Sequence, residues 1–431
     1  MRLPIELGYR ALGELVRGAA AVTPAGDSKL LRTLRARRGI RDRYRAWGAA
    51  SRAAGRPLLW MHAPSVGEGM QARPILQLVR RRRPDVQLAY THFSPSADSF
   101  AASLDVDFRD YLPFDTPGDC AVALDALQPT ALVFSKLDVW PVLTRSAHAC
   151  GARLGMISAT LARGSSRRSR AAGILLRGAY EALDAVGAVD AADADRLVEL
   201  GVRSNVITVT GDTRYDQVWE RAQCVDRQNA LLAPLESFRP TVVAGSTWPT
   251  DERVLLPALD TVRERAGGAR DVRLIIAPHE PTPEHVESIA AWARQNQWRA
   301  ARLGGADAPD ADVVIVDRVG VLGDLYALAD VAFVGGGFHA AGLHSVLEPA
   351  AFGAAVLFGP RYSGSRDAGL LAARGGGVSV ADGTDLARRL RAWLGDPALR
   401  REAGNYARAL VRSGVGAAER SFELVEALLR A

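Results

Sequence analysis

The chain has 431 residues, 48% of them hydrophobic, enough for two domains of ordinary size, each with a sizeable core. Its formal charge of +6 is concentrated at one end: residues 1–56 carry thirteen Arg or Lys against four Asp or Glu, and the remainder is slightly acidic. No run of 18 apolar residues is present, which excludes an obvious membrane-spanning helix, and three scattered cysteines (Cys120, Cys150, Cys224) without CxxC or Cys/His spacing exclude a disulfide framework and a structural zinc site.

In chain order, residues 1–22 form an amphipathic pattern, with Leu3, Ile5, Leu7, Leu12, Leu15 and Val16 set among charges. A clean apolar core and a cleavage site are missing, so this is not a signal peptide. The arginine-rich run "LLRTLRARRGIRDRYRAW" follows. Residues 1–50 are therefore expected to be a basic, membrane-associating segment, apolar side in the interface and arginines at anionic headgroups. The same charge could serve nucleic acid or be a solvated helix. Only Tyr44 and Trp47 interleave with the arginines, so no nucleic-acid partner is expected.

Short apolar runs then alternate with helix-length segments. Strands are predicted at 57–63, 86–93, 131–135, 153–159 and 206–211, and, after a helical linker at 217–239, at 241–247, 272–279, 312–317, 331–337 and 354–360. Continuous apolar strands between helices predict α/β architecture with parallel sheets covered on both faces. The expected organisation is a doubly wound domain over 51–216, a linker over 217–239, a second doubly wound domain over 240–405, and a C-terminal helix within 406–431 whose stripe is Phe422, Val425, Leu428 and Leu429. Ligands in such folds lie at the C-terminal ends of strands.

The chemistry-bearing residues sit at those ends. In "HAPSVGEG" (62–69), Ser65 and Gly67 suit a tight turn and Glu68 stands in the first turn of the next helix. There it either serves its own helix or takes a proton from a substrate hydroxyl. "SKLDVWP" (135–141) places Lys136, one of only two lysines, and Asp138 past another strand. "AGSTWPTDE" (244–252) offers Ser246 and Thr247 as caps or ligand contacts. "DRVGVLGDLYALAD" adds Gly320 and Leu322 at a loop–helix junction. "GGGFHAAGLHSVLEPAAFG" (335–353) leaves a strand through glycines, including Gly336 and Gly337, whose backbone N–H groups could approach a phosphate. His344, Ser345 and Glu348 follow, and a helix already begun at His344 would put His344 and Glu348 on one face. No DxD signature supports a metal site.

The segments "HAPSVGE", "YLPFDTP", "SKLDVWP", "VTGDTRYD", "AGSTWPTDE", "IIAPHE", "VGVLGDLYALADVAFVGGGF", "GLHSVLEPAAFG" and "VLFGP" occur in one order between about residues 57 and 370. This ordered set resembles the Kdo transferases, the 3-deoxy-D-manno-octulosonic acid transferases of lipopolysaccharide assembly. The resemblance implies a GT-B glycosyltransferase of two Rossmann-like domains facing a central cleft, with CMP-Kdo as donor and a glucosamine hydroxyl of a lipid A precursor as acceptor. It implies inversion at the anomeric carbon without a metal or other cofactor. Glu68 inherits the general-base role, with Asp138 beside it in the catalytic set. Ser246, His279, Gly320, Leu322, His344 and Glu348 inherit CMP binding, and Thr247, Gly336, Gly337 and Ser345 are grouped with them. Ser65, Gly67 and Lys136 are assigned to the acceptor and to the carboxylate of the donor sugar. An N-terminal anchor on the cytoplasmic face of the inner membrane is also implied. Ser345 stands where the family usually has Asn, and Asp138 where it often has Glu. The alternative within the same fold is an enzyme of a different nucleotide sugar, a UDP-sugar transferase or epimerase.

Overall fold

The computed structural model describes residues 2–24, 26, 28–162, 164–265 and 272–430. The side chain of Leu3, one of the apolar residues of the N-terminal pattern, lies outside the described residues. The chain divides into one unit of residues 1–216 with 416–431 and a second of residues 217–415.

The first unit is built on seven parallel strands: β1 (Leu58–His62), β2 (Gln87–His92), β3 (Phe108–Tyr111), β4 (Ala131–Ser135), β5 (Arg153–Ala159), β6 (Ala185–Ala188) and β7 (Ile207–Val209), in the order β3-β2-β1-β4-β5-β6-β7. Every residue of β1 is buried. Its side chains alternate, so Leu58 and Trp60 enter one core with Leu132 and Phe134, while Leu59 and Met61 enter the opposite one with Val133 and Ile157. The order reverses between β1 and β4, which makes their C-terminal ends the topological switch point.

Residues 1–50, expected as a segment apart from this domain, are joined to it. The helix Ile40–Ser51 buries Ile40 and Tyr44, and the Tyr44 ring meets Phe108 edge-on at 4.8 Å. Trp47 donates its indole N–H to the Asp107 carbonyl at 3.0 Å. The helix Arg2–Val22 is tethered by polar side chains: Tyr9 donates to Asp115 at 2.8 Å and Arg145 to Glu6 at 2.8 Å. Leu7, Leu12, Leu15 and Val22 on that helix stay exposed. No described helix is long and apolar enough to cross a membrane.

The C-terminal region expected as one helix is two, Pro397–Gly414 in the second unit and Ala417–Arg430 in the first. Asp216 holds the start of the last helix, accepting from the N–H groups of Gly416 (2.7 Å) and Ala418 (3.0 Å). Phe422, Val425, Leu428 and Leu429 enter the core beneath β1, β4 and β5.

The second unit repeats the plan with β8 (Thr241–Thr247), β9 (Arg273–Pro278), β10 (Ala300–Arg302), β11 (Val313–Ile315), β12 (Val331–Val334), β13 (Ala355–Phe358) and β14 (Gly377–Ser379), all parallel, in the order β10-β11-β9-β8-β12-β13-β14. Its switch point falls between β8 and β12. The expected linker is part of this unit: it carries most of the helix Arg214–Cys224, and Leu232 and Leu235 are buried with Val243 and Ile275. Arg273, fully buried in β9, ties the segment down by donating to the Leu235 carbonyl.

Candidate functional site

At the first switch point, β1 leads into the helix Val66–Arg82, with Ser65 at the N-cap and Glu68 in the first turn. Ser65 and Glu68 have the spacing of a capping box, yet Ser65 makes no side-chain cap bond among the described residues. Its hydroxyl donates to the Glu68 carboxylate instead. Lys136, just past β4, donates from Nζ to Glu68 Oε1 at 3.0 Å, and Ser135 donates to the Glu68 carbonyl at 3.0 Å. Lys136 holds a left-handed backbone with φ of +59°, costly for a residue with a Cβ. That strain is retained at the position where the ammonium meets Glu68. Burial works to raise the Glu68 pKa, but Lys136 and then the Ser65 hydroxyl outweigh it, so the carboxyl lies below its usual range. An added Cβ on Gly67 would meet only Ser65 Oγ, at 3.8 Å, so that glycine reflects no crowding.

Asp138 belongs to a neighbouring cluster. One oxygen receives Trp140 Nε1 and faces His62 Nε2, both at 3.1 Å, and the other faces Arg167 at 3.5 Å. Burial opposes its charge, yet His62, Trp140 and Arg167 together hold its pKa below the ordinary value.

At the second switch point the chemistry is aromatic. Trp248 follows β8, His279 follows β9, and His339 and His344 lie in the turn after β12. The Trp248 ring stacks on His339 at 4.1 Å and 10°, and lies 4.5 Å from His279, which lies 4.5 Å from His344. Trp248 donates its indole N–H to His344 Nε2 at 3.3 Å. An indole can only donate, so Nε2 carries the lone pair and Nδ1 the ring proton. Burial, and then the neighbouring His279, lower the His344 pKa and favour this neutral form.

The glycine turn differs from expectation. The N–H of Gly335 bonds the Gly245 carbonyl at 2.9 Å, and that of Gly336 bonds buried Asp251 at 2.8 Å. Asp251 also accepts from Phe338 (3.0 Å) and Trp248 (2.9 Å). The amides of Gly335, Gly336 and Phe338 thus clamp the turn, and that of Gly336 is already engaged by Asp251. The glycines are there for close approach: a Cβ on Gly335 would strike the Ser246 carbonyl, one on Gly336 the Gly342 carbonyl, and one on Gly337 the backbone of Gly359. Ser246 itself sits at φ of +52° where β8 and β9 lose register.

Thr247 donates to Glu252 at 2.7 Å, and Glu252 meets His285 at 2.9 Å, so Thr247 is engaged within the fold. The helix expected to carry His344 begins only at Leu347, so His344 and exposed Ser345 precede it and Glu348 alone lies in its first turn. Glu348 is 3.5 Å from Arg221, which also bonds Asp324 at 3.1 Å. Burial raises the Glu348 pKa, Arg221 counteracts it and Asp324 reinforces it. Leu322 opens the short helix Leu322–Leu325 and reaches toward Gly245, while Gly320, at φ of +90°, turns the chain before it. Trp248, His339, Asp251 and Arg221 are site residues that the sequence pattern did not single out. Among the described residues, no three His, Cys, Asp or Glu side chains gather as a metal site would.

Comparison with known proteins gives this geometry its family. Residues 34–217 match the profile described as 3-Deoxy-D-manno-octulosonic-acid transferase (kdotransferase). A 3-deoxy-D-manno-octulosonic acid transferase of Bordetella pertussis is 30% identical over 393 residues, 88% of this chain and 90% of that protein. Its counterpart in Haemophilus influenzae is 24% identical, with 92% of each chain covered. Among solved structures, UDP-GlcNAc 2-epimerase from Neisseria meningitidis superposes with a TM-score of 0.60 at 13% identity, covering 87% of this chain and 100% of that one, a likeness of fold alone. The two parallel Rossmann-like sheets are those of the GT-B class, and by its near full-length similarity to the Bordetella protein the chain belongs to the 3-deoxy-D-manno-octulosonic acid transferase family, as a Kdo-transferring glycosyltransferase.

Proposed function

We propose that the chain transfers Kdo from CMP-Kdo to a glucosamine hydroxyl of a lipid A precursor, with inversion and without a metal ion. The observation that carries this reading is the Glu68 carboxylate at the first switch point, kept ionised by Lys136 at 3.0 Å and already accepting a hydroxyl, that of Ser65. An acceptor hydroxyl can replace Ser65 as the donor to Glu68. As its oxygen bonds the anomeric carbon, its proton passes to the carboxylate. The bond from that carbon to the CMP phosphate oxygen breaks, and the electron pair leaves with CMP. Attack from the face opposite the leaving group inverts the centre. Lys136 fixes Glu68 as the anion and offers a cation to the donor sugar's carboxylate. Asp138, accepting from Trp140 and facing His62 and Arg167, suits positioning better than proton transfer.

The nucleotide is assigned to the second unit. Trp248 and the histidine rings offer a flat surface, the proton on His344 Nδ1 a donor, and Glu348 an acceptor for ribose hydroxyls. The enzyme is placed at the cytoplasmic face of the inner membrane, held by its N-terminal helices, where a lipid acceptor resides.

Incubation with CMP-Kdo and a lipid A precursor, followed by mass spectrometry, tests the reading. It expects the acceptor to gain the mass of one or more Kdo residues. An unmodified acceptor beside intact CMP-Kdo overturns it. Thermal protection by UDP but not by CMP would select the alternative nucleotide class.

A further inference from the structure

An apolar groove of about 560 Å³ runs between the helices Arg2–Val22 and Lys29–Ala36 and the strand ends of the first unit. Leu12, Val16, Leu30 and Leu34 form one side, and Phe93 and Trp140 the other. Leu12 is 58% exposed and Leu30 68%, a large apolar surface left to water. The floor is fixed, because Tyr9 and the N–H groups of Val142 (3.0 Å) and Leu143 (2.7 Å) all bond the buried Asp115 carboxylate.

Arg37 lines this groove and also a basic pocket beside it, formed with Arg17, Arg38, Arg41 and Arg45 against only Asp42 and Asp119. Arg37 is 3% exposed. Its Nε donates to the Leu112 carbonyl at 2.9 Å and its guanidinium lies 4.2 Å over the Phe93 ring, yet its Nη2 is buried with no hydrogen-bond partner among the described residues. A buried, charged donor without an acceptor is costly unless something supplies one. Burial pushes the Arg37 pKa down to about 10, a penalty that a bound anion relieves. At its far end the groove reaches Trp140, whose indole N–H holds Asp138, two residues from Lys136.

We infer that this groove seats one acyl chain of a phosphorylated lipid, with the acidic head taken by Arg37 and the adjoining basic pocket. The inference rests on the reading that the acceptor is a lipid: an acyl chain so held brings the acceptor to the strand ends that carry Glu68. It differs from adsorption to a bilayer, because a single monomeric amphiphile suffices.

Calorimetry with octyl, decyl and dodecyl phosphate below their micelle concentrations, in the absence of CMP-Kdo, tests it. Affinity is expected to rise by up to about fourfold per methylene, the equivalent of ~0.8 kcal/mol for each one fully buried. Inorganic phosphate and a neutral dodecyl glycoside are expected to bind at least about tenfold more weakly than dodecyl phosphate. Val16→Trp, which fills the groove from an already exposed helix, is expected to abolish the chain-length dependence without lowering the melting temperature. Arg37→Gln is expected to remove the preference for the acidic head. If Arg37→Gln fails to fold, the Val16→Trp series and the neutral glycoside decide. Binding that ignores chain length, survives in Val16→Trp, or occurs only on vesicles overturns the groove. Dodecyl phosphate binding without any Kdo transfer would instead leave the groove standing and sink the reaction. Transfer without dodecyl phosphate binding would do the reverse.

Discussion

The two units share seven parallel strands and one switch point each, yet they fill those switch points with different chemistry. The first places an ion pair there, Glu68 with Lys136, beside the Asp138 cluster. The second places aromatic rings there, Trp248 with three histidines, over a glycine turn clamped by Asp251 through the Gly336 amide. The same kind of switch point thus locates both sites, and the residues at the strand ends decide what each can do. A charged, partly desolvated carboxylate suits proton transfer. A flat aromatic surface suits the stacking of a nucleotide base.

Glu68→Gln should damage the first site alone. Loss of a general base costs about 10²–10⁴-fold in rate. Turnover should fall by that factor while the melting temperature stays put, and near-normal turnover would remove Glu68 from its role.

The second site should break through its scaffold. Asp251→Ala strands three N–H donors, on Trp248, Gly336 and Phe338, in a buried turn. Unsatisfied buried donors cost about 1–3 kcal/mol each, with partial relaxation, so a loss of roughly 2–4 kcal/mol in stability is expected from denaturant unfolding. An unchanged midpoint would show that the turn does not need its clamp.

Glu348→Ala should weaken CMP by roughly 1.5–3 kcal/mol, the worth of charge-assisted hydrogen bonds. Arg221, at 3.5 Å, makes only a long contact with it, which leaves the carboxylate able to accept from a ligand.

The smallest change sharpens the comparison. Lys136→Ala removes the main opponent of burial at Glu68, so the Glu68 pKa rises. Because the ionised form is the base, the acidic limb of the kcat/KM profile should move to higher pH. The variant then loses rate under mildly acidic conditions that the parent tolerates. A limb that stays in place would separate Lys136 from Glu68 function.

How much of this is legible in the sequence follows from which interactions are local. Strands such as "LLWMH" and "VVIVD" announce themselves by continuous β-branched and apolar residues. Four strands carry no such signal: "FRDY", "AVGA", "AAR" and "GVS", short members on or near the sheet edges, where charge, alanine and glycine are tolerated. Glu68 and Lys136 could be found because a charged residue soon after an apolar strand is conspicuous, and Glu348 because it follows a glycine-rich turn at the start of a helix. The clamp of Asp251 on Gly336 could not, since it spans 85 residues and depends on β8 lying beside β12. Trp248 lies within "AGSTWPTDE", but nothing local to that segment shows what its ring would meet. Its neighbours His339 and His344 come from another loop altogether. The attachment of the N-terminal helices is illegible for a related reason: Tyr44 and Tyr9 bind them to the first unit through partners 60 or more residues away.

The division of labour between the units is tested most directly by calorimetric titration of CMP into Glu68→Gln and Glu348→Ala side by side. The account predicts parental affinity in Glu68→Gln and an affinity lowered by about 10–150-fold in Glu348→Ala, the range equivalent to 1.5–3 kcal/mol. Equal CMP binding in the two variants would contradict it.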